Sequence, residues 1–348
     1  VAKESFVRLV REKGIVLSTK QDKKMSQLLE KLLPIDDSKR LWISVALTTI
    51  VAGQLAMLGI YGYHTYGIAL FIFVPFFIGS SATILYGYRK QVTLKEACKA
   101  GFLSLGVFTV GLLLFAIEGL ICISMAAPFG LFLTGLGCLV GRKIINKTTK
   151  HAPAAMLIFI GVIPLISFIE KDIPPTVTAV VSSIEINADA ATVWQNVVEF
   201  PQLDEPTEFI FKTGIAYPIN AKIDGEGVGA IRHCNFTTGS FVEPITVWDK
   251  PRLLKFDVAE QPAPMKELSF WDIDAPHLHD YFVSKQGQFK LISLPNGNTL
   301  LEGTTWYYHN IKPAFYWQLW SNHIIHKIHL RVLMHIKTNA ESAGKSAI

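Results

Sequence analysis

Charge is scarce in this chain. Only 18% of its 348 residues are Asp, Glu, Lys or Arg, against 50% that are hydrophobic, whereas a soluble protein of this size carries about a quarter. Mean hydropathy is positive, so the composition points to a membrane class. Cysteine is sparse as well. Cys98, Cys122 and Cys138 lie in or beside apolar runs, and Cys234 stands alone in the C-terminal half, which excludes a disulfide framework there. The sequence holds no CxxC or Cys/His zinc spacing and no GxSxG, HExxH, P-loop or dinucleotide fingerprint. No metal and no cofactor are therefore expected. Gly225, Gly227 and Gly229 alternate between strand candidates rather than preceding a helix, so they read as a hairpin turn and not a phosphate cradle. The first 40 residues lack the apolar core of a cleavable signal.

What charge there is is partitioned. Residues 1–40 carry ten Lys/Arg against six Asp/Glu, residues 41–170 eight against three, and residues 171–348 fifteen against nineteen. The C-terminal half thus has no basic face to neutralise phosphates, which argues against nucleic acid as a partner. Residues 1–40 read as a basic amphipathic tail in two helical pieces. Phe6, Leu9 and Val10 mark the first; Met25, Leu28, Leu29, Leu32 and Leu33 mark the second, ended by Pro34. Such a tail rests on lipid headgroups or docks a partner.

Residues 41–170 read as a membrane domain with five spans, at about 41–62, 66–88, 100–117, 120–141 and 153–169. A span needs about 20 residues to cross a ~30 Å core. The stretch 100–141 is twice too long for one helix and must fold back near Glu118, its one charge. The tail and the loops holding Arg89, Lys90, Lys95 and Lys99, and then Arg142, Lys143, Lys147 and Lys150, alternate with loops that have no Lys or Arg. The positive-inside rule then puts the N-terminus in the cytoplasm. Five crossings carry the C-terminal half to the extracytoplasmic face of a cytoplasmic (inner) membrane. The block reads as an anchor or scaffold rather than a conduit, since Glu118 falls at a loop and the Gly-rich segment 130–141 suits close helix packing.

After Pro174-Pro175 the pattern turns globular. Residues 177–186 are β-branched and partly alternating, a strand; Asn187 or Asp189 can cap the helix that follows. Strand candidates come at 209–211, 216–223, 229–236, 241–248 and 253–258. An irregular stretch, 262–276, precedes a hairpin of 281–294 with 299–309 around Pro295-Asn296-Gly297-Asn298. A long helix closes the chain from about 313 to 342. This is an α+β order with an antiparallel sheet.

Specific residues carry a resemblance here. They are Ser183-Ile184-Glu185-Ile186 with Ala190-Ala191-Thr192-Val193-Trp194, and Gly225-Glu226-Gly227-Val228-Gly229 leading to Arg232. Phe241-Val242-Glu243, Trp248-Asp249-Lys250-Pro251-Arg252-Leu253 and Glu302-Gly303-Thr304 continue it. In that order they resemble the START-like, or SRPBCC, superfamily of helix-grip, polyketide cyclase-like domains, over about 177–342. The resemblance implies a curved sheet wrapped around a last helix, with a cavity between them for a lipid or other apolar molecule. It transfers no shared catalytic set.

Three functions follow as expectations: a membrane-anchored binder or carrier of a hydrophobic ligand or lipid; a cyclase- or hydrolase-like enzyme on a lipid-like substrate; or an interaction protein. The candidate ligand-binding residues are Arg232, Glu243, Trp248, Trp306, Tyr308, Trp317, Ile328 and His335. Arg232 and Glu243 face each other across a hairpin, either as an outward ion pair or as a polar anchor inside the cavity. A helical wheel of the last helix puts Trp317, Trp320, Ser321, Ile324, Ile325, Ile328, Val332, His335 and Ile336 on the sheet side. It leaves Leu319, His323, His326, Leu330 and Leu333 as an outer strip suited to self-association or a protein partner. His277 and His279 are expected in a solvated loop.

Overall fold

The computed structural model describes residues 31–147 and 152–346. The first amphipathic piece, the second up to residue 30, and Lys150 lie outside the described residues. The chain divides into two compact units: residues up to Ile117 together with Ile123–Ile173, and Glu118–Cys122 together with Pro174 onward.

The first unit is helical. Helix α1 (Asp37–Met57) begins where the Asp36 carboxylate accepts the Lys39 N–H at 2.8 Å, and it runs on into a π-helical turn, Leu58–Gly62. A second π-helical turn, Ala69–Phe73, leads into α2 (Val74–Tyr86). Helix α3 (Leu94–Leu114) opens in a capping box of Thr93 and Glu96. It therefore starts before the expected residue 100 and takes Lys95 and Lys99 out of the loop. Helices α4 (Leu120–Lys147), from Ile123 onward, and α5 (Ala152–Glu170) complete the unit. Among the described residues, four stretches are long and apolar enough to cross a membrane: Asp37–Gly62, Ala69–Tyr86, Leu94–Leu114 and Leu120–Lys147. The remaining one, Met156–Glu170, is apolar but shorter.

Glycine sets how closely these helices approach. A Cβ on Gly137 of α4 would lie 2.3 Å from the Phe76 carbonyl oxygen, and one on Gly79 of α2 would lie 2.1 Å from that of Thr134. The two backbones touch, the small-residue packing that membrane helices use in place of a hydrophobic drive. Helix α5 lies antiparallel along α2 and its preceding turn. The Glu170 carboxylate accepts the N–H groups of Ile68 (2.9 Å) and Ala69 (3.3 Å). Further down, the Phe159 ring lies tilted 5.5 Å from that of Phe76, and Met156 packs against the cluster of Leu33, Leu85 and Tyr88.

The second unit is one seven-stranded antiparallel sheet in the order β1-β7-β6-β5-β4-β3-β2. Its strands are β1 (Thr178–Ile186), β2 (Pro218–Asp224), β3 (Ile231–Phe236), β4 (Gly239–Asp249), β5 (Leu253–Asp257), β6 (Phe282–Ser293) and β7 (Thr299–His309). Asp189 caps α6 (Ala190–Val198) through the N–H groups of Ala191 and Thr192. The strand expected at 209–211 is instead a helical turn, α7 (Phe209–Lys212), too short for its apolar residues to show a period. Helix α8 (Ala314–Ser346) packs on one face of the sheet. The core between them holds Ile186, Trp194, Ile245, Leu254, Leu301, Leu333 and Ile336.

Candidate functional site

Arg232 on β3 and Glu243 on β4 are Cα partners in the ladder. Period-2 alternation puts both on the face that also carries Cys234, Ile245, Leu254 and Phe256. The pair points inward, under helix α8, and not outward as a surface ion pair. Arg232 is 1% and Glu243 6% exposed. The guanidinium donates through Nη1 to the Glu243 carboxylate and through Nε to the Val198 carbonyl at 3.2 Å. Three rings surround it, with centroids at 5.5 Å (Phe200), 5.4 Å (Phe256) and 5.6 Å (Phe289). Burial pushes the Glu243 carboxyl above its usual range, against the pull of Arg232. Burial works most strongly against the Arg232 charge as well, but Glu243 and Cys234 together more than offset it and its pKa is raised.

The other candidates divide. A bulge between Ile245 and Val247 resets the alternation of β4, so Trp248 faces inward opposite Leu254 and meets Trp194 edge-on at 5.5 Å. His335 reaches the same neighbourhood through Phe200, its ring 6.0 Å away, while Asn339 bonds its Nε2 at 3.0 Å. Trp306 and Tyr308 do not join the site. In β7 it is Leu301, Thr305 and Tyr307 that face α8, so Trp306 and Tyr308 fall on the opposite face. There Lys255 and Lys285 lie over their rings at 5.2 Å and 5.9 Å. Trp317 is buried at the start of α8, edge-on to Tyr316, and Ile328 is half-buried.

The outer strip expected on α8 is not intact. The stripe that meets the sheet runs through Ile325, His329, Val332, Leu333, Ile336 and Ala340 at helical spacing. Leu333 is fully buried in the core, and His326 bonds the β1 hydroxyl of Ser182 through Nδ1 at 2.7 Å. Leu319, His323 and His326 remain exposed, and Leu330 is intermediate. Ser182 also meets His329 Nδ1 at 3.1 Å, and Thr305 meets His329 Nε2 at 2.8 Å. Burial, then the nearby His326, lower the His329 pKa to about 4. His277, expected in solvent, is 5% exposed, and Glu118 is 8% exposed. His279 does stay exposed, paired with Asp274.

A long last helix laid along one face of an antiparallel meander, with the first strand returning beside the last, is the helix-grip arrangement. The C-terminal unit is a helix-grip domain. No protein-family model matches the chain, and no curated protein matches it. Among solved structures it matches a norcoclaurine synthase point mutant from Thalictrum flavum at 13% identity and a TM-score of 0.34, over 50% of this chain and 99% of that one. It matches the Zhui aromatase/cyclase from a Streptomyces species at 12% and 0.32, over 49% and 98%. A protein from Nitrosospira multiformis matches at 17% and 0.32, over 48% and 99%.

Proposed function

We propose that this chain is a membrane-anchored helix-grip protein that binds or carries an apolar molecule between the concave face of its sheet and helix α8. Arg232 holds that molecule's one polar group. The observation that carries the reading is the Arg232–Glu243 pair, buried among three phenyl rings. Desolvating two charges usually costs as much as their attraction returns, so such a pair is weak support for stability. A guanidinium held ready in an apolar setting suits recognition of an anionic or carbonyl head, with the rings receiving the body. Glu243 is committed to that guanidinium, which suits binding better than acid–base work, so the enzyme reading is the weaker one. Native mass spectrometry of the full chain released from detergent tests it. A bound mass in the wild type that is lost in a Glu243→Leu, Arg232→Met double variant supports the reading; a wild type that is always empty overturns it.

We further propose that α5 is a fifth crossing. Its 19 residues at 1.5 Å rise make about 28 Å, close to the ~30 Å core. Its contacts run from the cluster of Leu33, Leu85 and Tyr88, beside the basic loop, to Ile68, beside the non-basic one. With the N-terminus inside, the helix-grip domain is then extracytoplasmic on a cytoplasmic (inner) membrane. Reporters fused after Ile348 test this: alkaline phosphatase activity is expected, and a fluorescent cytoplasmic reporter with an inactive phosphatase would overturn it.

A further inference from the structure

A second group of chemically active side chains lies apart from the ion pair, within the second unit, where the segment Glu118–Cys122 meets the stretch around His277. Cys122 Sγ lies 2.9 Å from His277 Nε2, and Glu118 Oε2 lies 3.4 Å from His277 Nδ1. Thiol, imidazole and carboxylate in series suggest a nucleophile, base and orienting acid. The geometry decides against that. The two ring nitrogens point in diverging directions, so such a relay holds its thiol and its acid on opposite sides of the imidazole. Here one donor atom from each of Glu118, Cys122 and His277 lies within 4.8 Å of the other two. The three converge on one small volume instead of forming a line.

The surroundings hold that volume in place. Glu267 accepts the N–H groups of Ile121 (3.0 Å) and Cys122 (3.2 Å), which fixes the first turn of α4 and the Cys122 backbone with it. A Cβ on Gly119 would sit 2.2 Å from Glu267 Oε2, so glycine there is what lets the carboxylate in. Met265 Sδ lies 3.9 Å from Cys122 Sγ. A 3₁₀ turn, Pro276–Leu278, presents His277 from the other side.

We propose that Cys122, His277 and Glu118 form a metal site for a borderline divalent cation, Zn²⁺ by its mixed sulfur, nitrogen and oxygen donors. Three protein donors leave a fourth position for water or a substrate atom, the pattern of reactive rather than structural zinc. Binding would draw the donors to ~2.0–2.3 Å from the ion and spread the present thiol–imidazole contact. Cysteine spacing did not show the site because its ligands are 155 positions apart.

The test uses the full chain in detergent, stripped of metal by a chelator and titrated with Co²⁺, whose thiolate charge-transfer and tetrahedral visible bands report both donor type and geometry. One equivalent should saturate both bands, and Zn²⁺ should displace it. Cys122→Ser should abolish the charge-transfer band, Glu118→Gln and His277→Gln should each weaken binding at least about tenfold, and Cys234→Ser should leave both bands unchanged. X-ray absorption of the Zn²⁺-loaded wild type needs no variant to fold and should show one sulfur among nitrogen and oxygen neighbours. No saturable Co²⁺ band in the wild type, a band that survives Cys122→Ser, or a first shell without sulfur would each overturn the proposal.

Discussion

Removing half of the Arg232–Glu243 pair should do far more damage than removing all of it. Glu243→Gln leaves a guanidinium that is 1% exposed, with the neutral amide and the Val198 carbonyl to receive it. An uncompensated buried charge of this kind costs about 3–5 kcal/mol. The double variant Arg232→Met, Glu243→Leu removes both charges and keeps the volume. Methionine can fill the space among Phe200, Phe256 and Phe289, so its cost should stay within about 1 kcal/mol. With a urea slope of about 2 kcal/mol/M, the single variant should lose roughly 2 M in midpoint and the double less than about 0.5 M. Tryptophan fluorescence is a suitable probe, because Trp42 is the only one of the seven tryptophans before residue 171. Equal losses in the two variants would refute the reasoning, since they would mean the pair itself supplies net stability.

Three further outcomes are expected. Folding keeps His329 neutral, with its pKa down from 6.5 to about 4; a depressed histidine contributes stability that is present above pH 6.5 and lost as pH falls toward 4. That contribution is at most about 3 kcal/mol, so His329→Gln should flatten the pH dependence of the urea midpoint in this window. Asp189→Ala removes three hydrogen bonds at the start of α6, two from backbone N–H groups and one from the Thr192 hydroxyl, and should cost about 1 kcal/mol in the same assay. Gly137→Val forces a side chain into the Phe76 carbonyl and should lower the thermal midpoint of the detergent-solubilised chain by an amount matching about 1–3 kcal/mol; an unchanged midpoint would show that α2 and α4 can part freely.

Much of the fold was legible in the chain because its signals are local. Alternation, with the turn Pro295-Asn296-Gly297-Asn298 on one side, places strand β7 at 299–309, its observed span. Asp189 was one of two expected caps, and its carboxylate does the capping. Other features depend on partners distant in sequence. The sequence wheel of α8 is right for Trp317, Ile325, Val332 and Ile336, which are buried, and wrong for Leu333, because apolar residues occur on both sides of the helix: Leu319 and Met334 are exposed while Leu333 is buried. Trp306 and Tyr308 look like cavity aromatics by type, but the alternation that excludes them is fixed only once Leu301 and Tyr307 are seen in the core. His277 looked solvated because what buries it includes Glu118 and Cys122, a segment read as a membrane hairpin.

The order of the strands also sets a timetable. Strand β1 is synthesised first in the domain, yet among the described residues its one neighbour is β7, with Thr178 opposite Tyr307. At roughly 5–20 residues per second, on the order of 10 s passes before that neighbour exists. Helix α8, which covers the core, comes later still. Until then the nascent chain presents an open strand edge and an uncovered apolar face. Emergence of this domain is thus the interval in which its chain is most open to pairing with another strand edge.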